Sequence, residues 1–489
     1  MIDSAPATRP APRTQTAVLC VDLDHTLIRT DLLWEAAVRY IAPNPLRILV
    51  LIVMVLRGRA RLKQWLADRV SIDVADLPFK EPVLDLVRTE RALGARTVLA
   101  TASPERWAHQ VAAVHHLMDD VIATSGEHNL AGATKAEALV ARYGERGFVY
   151  VGDSRRDVAV WRHAARAVAV DADAAVIRSV RSLGIDVATI DTTARTRAGW
   201  RAWVRQIRIH QSVKNLLVFL PLLASLRDRS WSDVEASVLV FVAFTALTSA
   251  VYIWNDLGDL DADRAHSRKR FRPLASGAIS IPSALIVALL FAVGAFVLAI
   301  AIDPLVAFAI GVYLVGTILY SAYLKRVLVA DVVVLACLYI ARVLAGCAAL
   351  HIVPSVWLLL YCAFLFFSLA LMKRCAELSR ESDVSRNKRG YIPADRTMLF
   401  ALGATSGVAS ALVFGLYIDS LSANRLYQAP VLLWLIVPLL LYWIARAWIL
   451  TNRGWMHDDP VVFALRDRAS IVTGALVIVI AIAAVVVQL

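Results

Sequence analysis

The chain has 489 residues, 58% of them hydrophobic and 19% charged, with a mean hydropathy of +0.60. That is too apolar for an ordinary soluble protein and too long for one domain. A net charge of +12 would suggest nucleic acid as a partner in a soluble protein, but most Lys and Arg lie in short loops between apolar runs, which excludes nucleic acid in favour of membrane topology and anionic ligands.

The opening segment MIDSAPATRPAPRTQT (1–16) lacks the apolar stretch of a signal peptide and reads as a flexible tail. Residues 17–194 then alternate short β-branched runs with Ala- and Arg-rich helical stretches. AVLCVDLD, RTVLATAS, DVIATS, GFVYVGDS and AVAVDAD are each a short apolar run ending at a polar cluster. Such strands, separated by helices, predict a parallel α/β sheet covered on both faces, with ligands bound beyond the carboxyl ends of its strands. Within this half, LRILVLIVMVL (46–56) precedes the basic run Arg57, Arg59, Arg61 and Lys63. It is too short to cross a bilayer comfortably and reads as a helix of a cap or a membrane-touching insertion rather than a tenth span. The cysteines (Cys20, Cys337, Cys347, Cys362, Cys375) show no CxxC pair and no zinc spacing, and read as reduced, mostly buried thiols.

Four spaced elements carry chemistry. DLDHT puts Asp22 and Asp24 on one side of a strand end, where one carboxylate can attack phosphorus while the other protonates a leaving oxygen. VLATAS ends a strand at the hydroxyls Thr101 and Ser103, and GATKAEAL places Lys135 at a helix start. VYVGDSRRD ends another strand with Asp153 and Asp157, hard oxygen ligands suited to magnesium. In this order the four elements make residues 17–180 resemble the haloacid dehalogenase superfamily of phosphatases. The resemblance implies a Rossmann-like domain with a substrate-selecting helical cap at about 30–85. It also implies Asp22 as nucleophile, Asp24 as general acid/base, Thr101 and Lys135 as phosphoryl-binding groups, and Asp22, Asp153 and Asp157 around one magnesium ion.

TRAGWRAWVRQIRIHQ (195–211) reads as a basic, Trp-bearing linker helix at the membrane interface. From residue 212 to 489 there are nine apolar spans, near 212–227, 234–254, 281–302, 304–323, 329–350, 354–372, 398–418, 429–448 and 470–488, the first of them short and marginal. They predict an all-α membrane bundle. Loops after the second, fourth, sixth and eighth spans carry about 18 Lys and Arg against about 3 in the opposite loops, so the positive-inside rule puts those loops and the amino-terminal half in the cytoplasm.

The first large inside loop follows Trp254. If the helix continues, the three- and four-residue spacings put Asn255, Asp256, Asp259 and Asp263 on one face, with Asp261 pointing away. Three carboxylates on one face call for a counter-cation such as magnesium, and Arg268, Lys269, Arg270 and Arg272 just beyond them suit phosphate oxygens. Asn-Asp-x-x-Asp-x-x-x-Asp after a second membrane helix resembles the signature of the UbiA prenyltransferase superfamily, over about 205–489. That family uses magnesium there to hold a diphosphate and aid its departure, and Lys214–Asn215 looks like its basic element at the first span.

In place of the second Asp-rich motif of quinone-making members stand Tyr320, Tyr323, Lys325 and Asp331, an intramembrane Arg342, and Lys373, Arg374 and Glu377 after the sixth span. This pattern, with DADRAHSRKRFRPLASG, closely resembles the decaprenyl-phosphate phosphoribosyltransferase branch. The fusion of this half to a phosphatase predicts a bifunctional enzyme, and the two resemblances imply one magnesium ion in the phosphatase site and one or two in the transferase site. The enzyme would move 5-phosphoribose from phosphoribosyl pyrophosphate to a polyprenyl phosphate lipid, then remove the 5-phosphate to leave a precursor of arabinofuranose donors for the cell wall. The implied setting is the inner membrane of a bacterium, multi-pass, with both sites on the cytoplasmic side; a homo-oligomer is compatible with it. Two rivals are a UbiA-type transfer of a prenyl group to an aromatic or other acceptor beside an independent phosphatase, and a non-enzymatic scaffold or transporter.

Overall fold

The computed structural model describes residues 18–125, 129–192, 199–225, 230–379, 390–420, 427–456 and 459–487; the expected flexible tail lies outside them. Residues 1–206 and 253–286 form one compact unit, and 207–252 with 287–489 a second.

In the first unit, β1 (Val18–Val21), β2 (Arg96–Pro104), β3 (Asp120–Thr124), β4 (Phe148–Gly152), β5 (Arg166–Val170) and β6 (Val187–Ile190) form one sheet in the order β3-β2-β1-β4-β5-β6. Every pairing is parallel. The alternation along β1 shows why both faces are covered. Leu19 and Val21 join a core cluster with Trp107, while Cys20 joins the opposite cluster with Tyr150 and Trp161. Five of the six strands match the apolar runs in the sequence. β6 was not anticipated, because an edge strand that is only partly buried needs no strong apolar run.

Between β1 and α4 (Glu81–Ala92) lies the helical cap: α1 (Leu32–Ile41), α2 (Ile48–Leu56) and α3 (Arg59–Arg69). An antiparallel bridge, Ile28 to Phe79, closes its base. Asp31 caps α1 by accepting from the Leu33 amide at 2.8 Å, satisfying a donor the helix itself cannot. The unit continues through α5 (Glu105–His115), α6 (Ala133–Tyr143), α7 (Val158–Trp161), α8 (Ala174–Arg181) and most of α9 (Gly199–Ile207). It also holds the carboxyl end of α11 (Trp231–Gly258), α12 (Leu260–Ala265) and the start of α13 (Ile281–Ile302).

The second unit is helical: α10 (Leu220–Ala224), the rest of α11 and α13, α14 (Pro304–Ala322), α15 (Ala330–Ala349), α16 (Val356–Leu378), α17 (Arg396–Ile418), α18 (Ile436–Asn452), α19 (Pro460–Arg466) and α20 (Arg468–Val486). Eight helices of the described chain are long and apolar enough to cross a membrane, against nine spans expected. The difference is the first. Residues Ile209–Phe219 wind as a 3-10 helix that passes into the five-residue α10. At about 2.0 Å per residue, against 1.5 Å in an α-helix, that stretch still extends about 30 Å, the thickness of a bilayer's hydrocarbon core. It packs where α15 carries Gly346, because a Cβ there would lie 2.1 Å from the Val218 carbonyl oxygen.

Candidate active sites

Three adjacent strands converge on the first site. β1 is the middle of the three and delivers Asp22 immediately after Val21, with the Asp22 amide bonded to the Val151 carbonyl at 3.0 Å. The chain then makes a tight turn, Leu23–Leu27, in which His25 adopts φ +58°, a left-handed conformation costly for a side chain of this kind. That turn brings Asp24 back over the strand end. There it accepts from the Leu32 amide at 2.9 Å and the Ser103 hydroxyl at 2.7 Å.

Lys135, buried in the first turn of α6, donates to Asp22 at 2.9 Å and to the Tyr150 hydroxyl at 2.9 Å. Asp157 accepts from Tyr150 at 3.0 Å and from the Ser154 amide at 2.9 Å, and Asp153 accepts from Thr26 at 3.2 Å. Carboxylate oxygens of Asp22, Asp153 and Asp157 lie within 4.8 Å of one another. Such an all-oxygen donor set, gathered at a strand end, fits a magnesium ion. Thr101 is fully buried, its hydroxyl accepting from the Ser103 amide at 3.0 Å.

Burial sets the electrostatics. It raises the Asp22 pKa above the usual carboxylate range, with Lys135 pulling the other way. Burial, then the nearby Asp31 charge, pushes Asp24 up to about 7. Burial, then Asp157 and Asp22, pushes Asp153 up to about 7. Asp24, pushed up to about 7, thus stands beside an Asp22 paired with Lys135, the two carboxyls that an acid–nucleophile pair requires. Two lysines that the sequence reading did not assign to the site stand close by. Lys63 of α3 donates to the Ala102 carbonyl at 2.8 Å, and Lys80 donates to Asp171 at 2.6 Å and to the His25 carbonyl at 2.5 Å. Only the folding of the cap reveals them.

The acidic run after Trp254 belongs to the same unit. α11 ends at Gly258, Asp259 makes a one-residue break, and α12 follows. The backbone bonds Asp259 N–H to Asn255 O (3.0 Å) and Asp263 N–H to Asp259 O (2.8 Å) preserve the four-residue register across the break. Arg272 donates to Asp256 at 3.3 Å and to Asp263 at 2.6 Å, and Gln206 donates to Asp256 at 2.8 Å. One arginine thus supplies part of the counter-charge that the spacing called for. Burial raises the Asp263 pKa against the pull of Arg272. Asp259 is exposed, as are Arg268, Lys269 and Arg270.

One contact was not foreseen. Glu35 of α1, fully buried, receives both guanidinium arms of Arg264 at 2.7 and 3.1 Å, as well as Arg39 at 2.6 Å and Thr30 at 2.7 Å. Arg264 also donates to the Ala275 carbonyl at 3.0 Å, and Arg39 pairs with Asp261. Asp261, left outside the acidic face by its spacing, therefore pairs with a cap helix.

In the second unit, Lys214 donates to Asp459 at 2.7 Å and Lys373 lies 3.5 Å from the same carboxylate. Burial would raise the Asp459 pKa, but the two lysines outweigh it and hold the carboxyl below its usual range. Arg342 donates to Asn215 at 2.9 Å and to the Tyr313 hydroxyl at 2.9 Å, with its guanidinium 4.6 Å from the Tyr313 ring centre. Asp459, which also caps α19, had no spacing signal to mark it. Tyr320 and Asp331, expected beside a substrate, are bonded instead to the buried Arg374: Arg374 donates to Asp331 at 2.5 Å and to Tyr320 at 2.9 Å, and Tyr391 adds a 2.6 Å bond to Asp331. Lys325 is half-buried in the turn before α15.

The family model described as UbiA prenyltransferase family matches residues 216–471, and the one described as haloacid dehalogenase-like hydrolase matches 19–162. Protein y4nM of Sinorhizobium fredii is 35% identical over 94% of this chain and 89% of its own length. Nodulation protein NoeC of Azorhizobium caulinodans is 30% identical over 54% of this chain and 87% of its own. A decaprenyl-phosphate phosphoribosyltransferase of Mycolicibacterium smegmatis is 30% identical over 54% of this chain and 86% of its own. With its Asn-Asp-x-x-Asp-x-x-x-Asp run, its eight candidate spans and that match over half its length, the chain belongs to the UbiA prenyltransferase family, with a haloacid dehalogenase-like hydrolase domain fused ahead of the membrane helices.

Proposed function

We propose that the chain is a bifunctional membrane enzyme, transferring 5-phosphoribose from phosphoribosyl pyrophosphate to a polyprenyl phosphate and then removing the 5-phosphate. The supporting division is a phosphatase domain (17–194), a linker (195–211) and a transferase domain (212–489), with both reactions on the cytoplasmic face. The observation that carries the reading is the first site itself. Lys135 lies 2.9 Å from Asp22, two further carboxylates lie within 4.8 Å, and Asp24, pushed up to about 7 by burial, accepts from the Ser103 hydroxyl at 2.7 Å, together a complete set for hydrolysing a phosphomonoester. A fused phosphatase has a substrate close at hand if its partner makes a phosphomonoester. A phosphoribosyl transfer does so, and relatives carrying that name match the membrane half.

In the transfer, pyrophosphate leaves C1 of the ribose and an anionic oxygen of the lipid phosphate bonds to it. No proton need move, so positioning and electrostatics carry the rate. Asn255, Asp256, Asp259 and Asp263 are the residues that would hold a magnesium ion for the leaving diphosphate, while Lys214, Arg342, Lys373 and the Arg268–Arg272 run take phosphate oxygens. In the hydrolysis, Asp22 attacks phosphorus, the bond from phosphorus to the ribose oxygen breaks, and Asp24 gives that oxygen its proton. Water then attacks the phosphoryl group on Asp22 while Asp24 takes the proton back, releasing phosphate. Magnesium at each acidic cluster supplies neutralising charge to the phosphates handled there.

Purified protein given phosphoribosyl pyrophosphate, polyprenyl phosphate and magnesium should yield a lipid-linked ribose by mass spectrometry. Asp22→Asn should leave the phosphorylated lipid to accumulate. A product lacking ribose, or an unchanged product from the variant, overturns the coupled reading.

A further inference from the structure

The cap helix α2 inverts the usual pattern of a soluble helix. Of its nine residues, Leu51 and Met54 face the core, while Ile48, Leu49, Val50, Ile52, Val53, Val55 and Leu56 are exposed, Leu56 by 82%. Burying two apolar residues while offering seven to solvent is the composition of a surface that meets something apolar. Arg47 and Arg57 flank it and Arg61 follows, all exposed.

The neighbours of α1 show what that something is. α11 is 28 residues long, about 42 Å of helix, which matches a bilayer with its headgroup layers. Trp231 stands at its start, 87% exposed, and Trp254 near its end, the positions of interfacial aromatic residues. Where α11 crosses a bilayer along its whole length, its last residue, Gly258, reaches headgroup level. There the carboxyl end of α1 touches it: a Cβ built on Gly258 would lie 3.8 Å from that of Ala42. Trp254 packs against the cap's own core cluster, and Arg39 pairs with Asp261 three residues beyond the helix end. The chain between Ala42 and Ile48 is too short to carry α2 far from this level, at most about 20 Å even if fully extended.

We infer that α2 lies in the headgroup–acyl boundary of the bilayer leaflet into which α11 emerges, its seven exposed apolar side chains in the lipid and Arg47, Arg57 and Arg61 among anionic headgroups. It anchors the phosphatase cap to the membrane surface, at a site distinct from both catalytic centres. Apolar area and flanking positive charge together are what interfacial helices use. Lipid is the occupant favoured over a second copy because the bilayer is already at hand wherever α11 crosses it.

The test uses the full chain, one copy per nanodisc of phosphatidylcholine and phosphatidylglycerol, with Cys337→Ser to remove the exposed thiol. A nitroxide on Val53→Cys is compared with one on Leu289→Cys, 65% exposed on the span α13, and one on Leu93→Cys, 69% exposed beyond α4. Collisions with oxygen, which partitions into lipid, and with a water-soluble nickel chelate give a depth parameter positive in lipid and negative in water. Residue 53 is expected to share the positive sign of 289, and to read deeper as the phosphatidylglycerol fraction rises. A negative value like that of residue 93 overturns the inference. So does low access to both reagents, which would mean a protein cover.

Discussion

Removing the charge of Glu35 is the most demanding perturbation of this structure. Burial alone would raise its pKa, but the Arg264 guanidinium, with Arg39 and Thr30, outweighs it and holds the carboxyl at about 2. Against the ordinary value of 4.5, that depression is about 3 kcal/mol of preferential binding of the charged form, in line with the roughly 3–5 kcal/mol that breaking a buried pair costs. Glu35→Gln should therefore open α12 and the turn at 272–277 more readily by about 100-fold. Hydrogen exchange with mass spectrometry on the detergent-solubilised full chain reads those amides directly. Because the folded pKa lies below the unfolded one, the contribution is complete above about pH 4.5 and disappears as the pH falls towards about 2. The wild-type protein should then lose protection in the same amides over that interval, and Glu35→Gln should not. The paired change Glu35→Met with Arg264→Met should restore part of the protection, since neither charge is then stranded. Exchange in Glu35→Gln within about threefold of wild type at pH 7 would refute the reasoning, because so small a change is under 1 kcal/mol.

Further outcomes follow from the two sites. Hydrolysis of an alkyl phosphate should fall as the pH rises through about 7, where Asp24 loses the proton it must donate. The fall should be absent with an aryl phosphate whose leaving group needs no proton, and a limb common to both substrates would assign it elsewhere. Asp256→Asn should abolish lipid-linked ribose formation while leaving hydrolysis of a soluble phosphomonoester intact, whereas Asp22→Asn should do the reverse, with a loss of about 10⁴-fold or more in kcat. Asp331→Asn should lower thermal stability in detergent by an amount corresponding to about 1.5–3 kcal/mol, because it removes one of the two carboxylates paired with the buried Arg374 while Glu377 remains; an unchanged melting profile would show that the Arg374 pair does not hold the helices together.

Asp22, Thr101 and Asp153 stood out because each follows or ends an apolar run, and a buried parallel strand announces itself by composition alone, whereas Lys135 was marked by its place at a helix start. In the acidic loop the four-residue backbone register survives the break at Asp259, but Asp259 is exposed while Asp256 and Asp263 are buried, a difference that spacing does not carry. What escaped is long-range pairing. Glu35 reads as a surface acid on an amphipathic helix, and its partner Arg264 is 229 residues away. Asp459 gathers one lysine from the opposite end of the second unit, Lys214, and one from its middle, Lys373. Tyr320 and Asp331 had the right chemistry for phosphate or metal, but a burial partner, Arg374, sits one helix away. The first span misled for a different reason, since hydropathy measures composition while a 3-10 helix changes how much length each residue covers.

The separation between Glu35 and Arg264 also bears on biosynthesis. At about 5–20 residues per second, a ribosome needs roughly 10–50 s to travel from one to the other. By then the sheet and its cap have been complete for many seconds and present a finished carboxylate with two of its donors, Thr30 and Arg39, in place. The stretch carrying Arg264 thus emerges to meet its carboxylate within the same unit, so the amino-terminal segment acts as an internal template for α12. Supplying that segment late, as a separate polypeptide, would leave an arginine waiting without its carboxylate while neighbouring helices are being inserted.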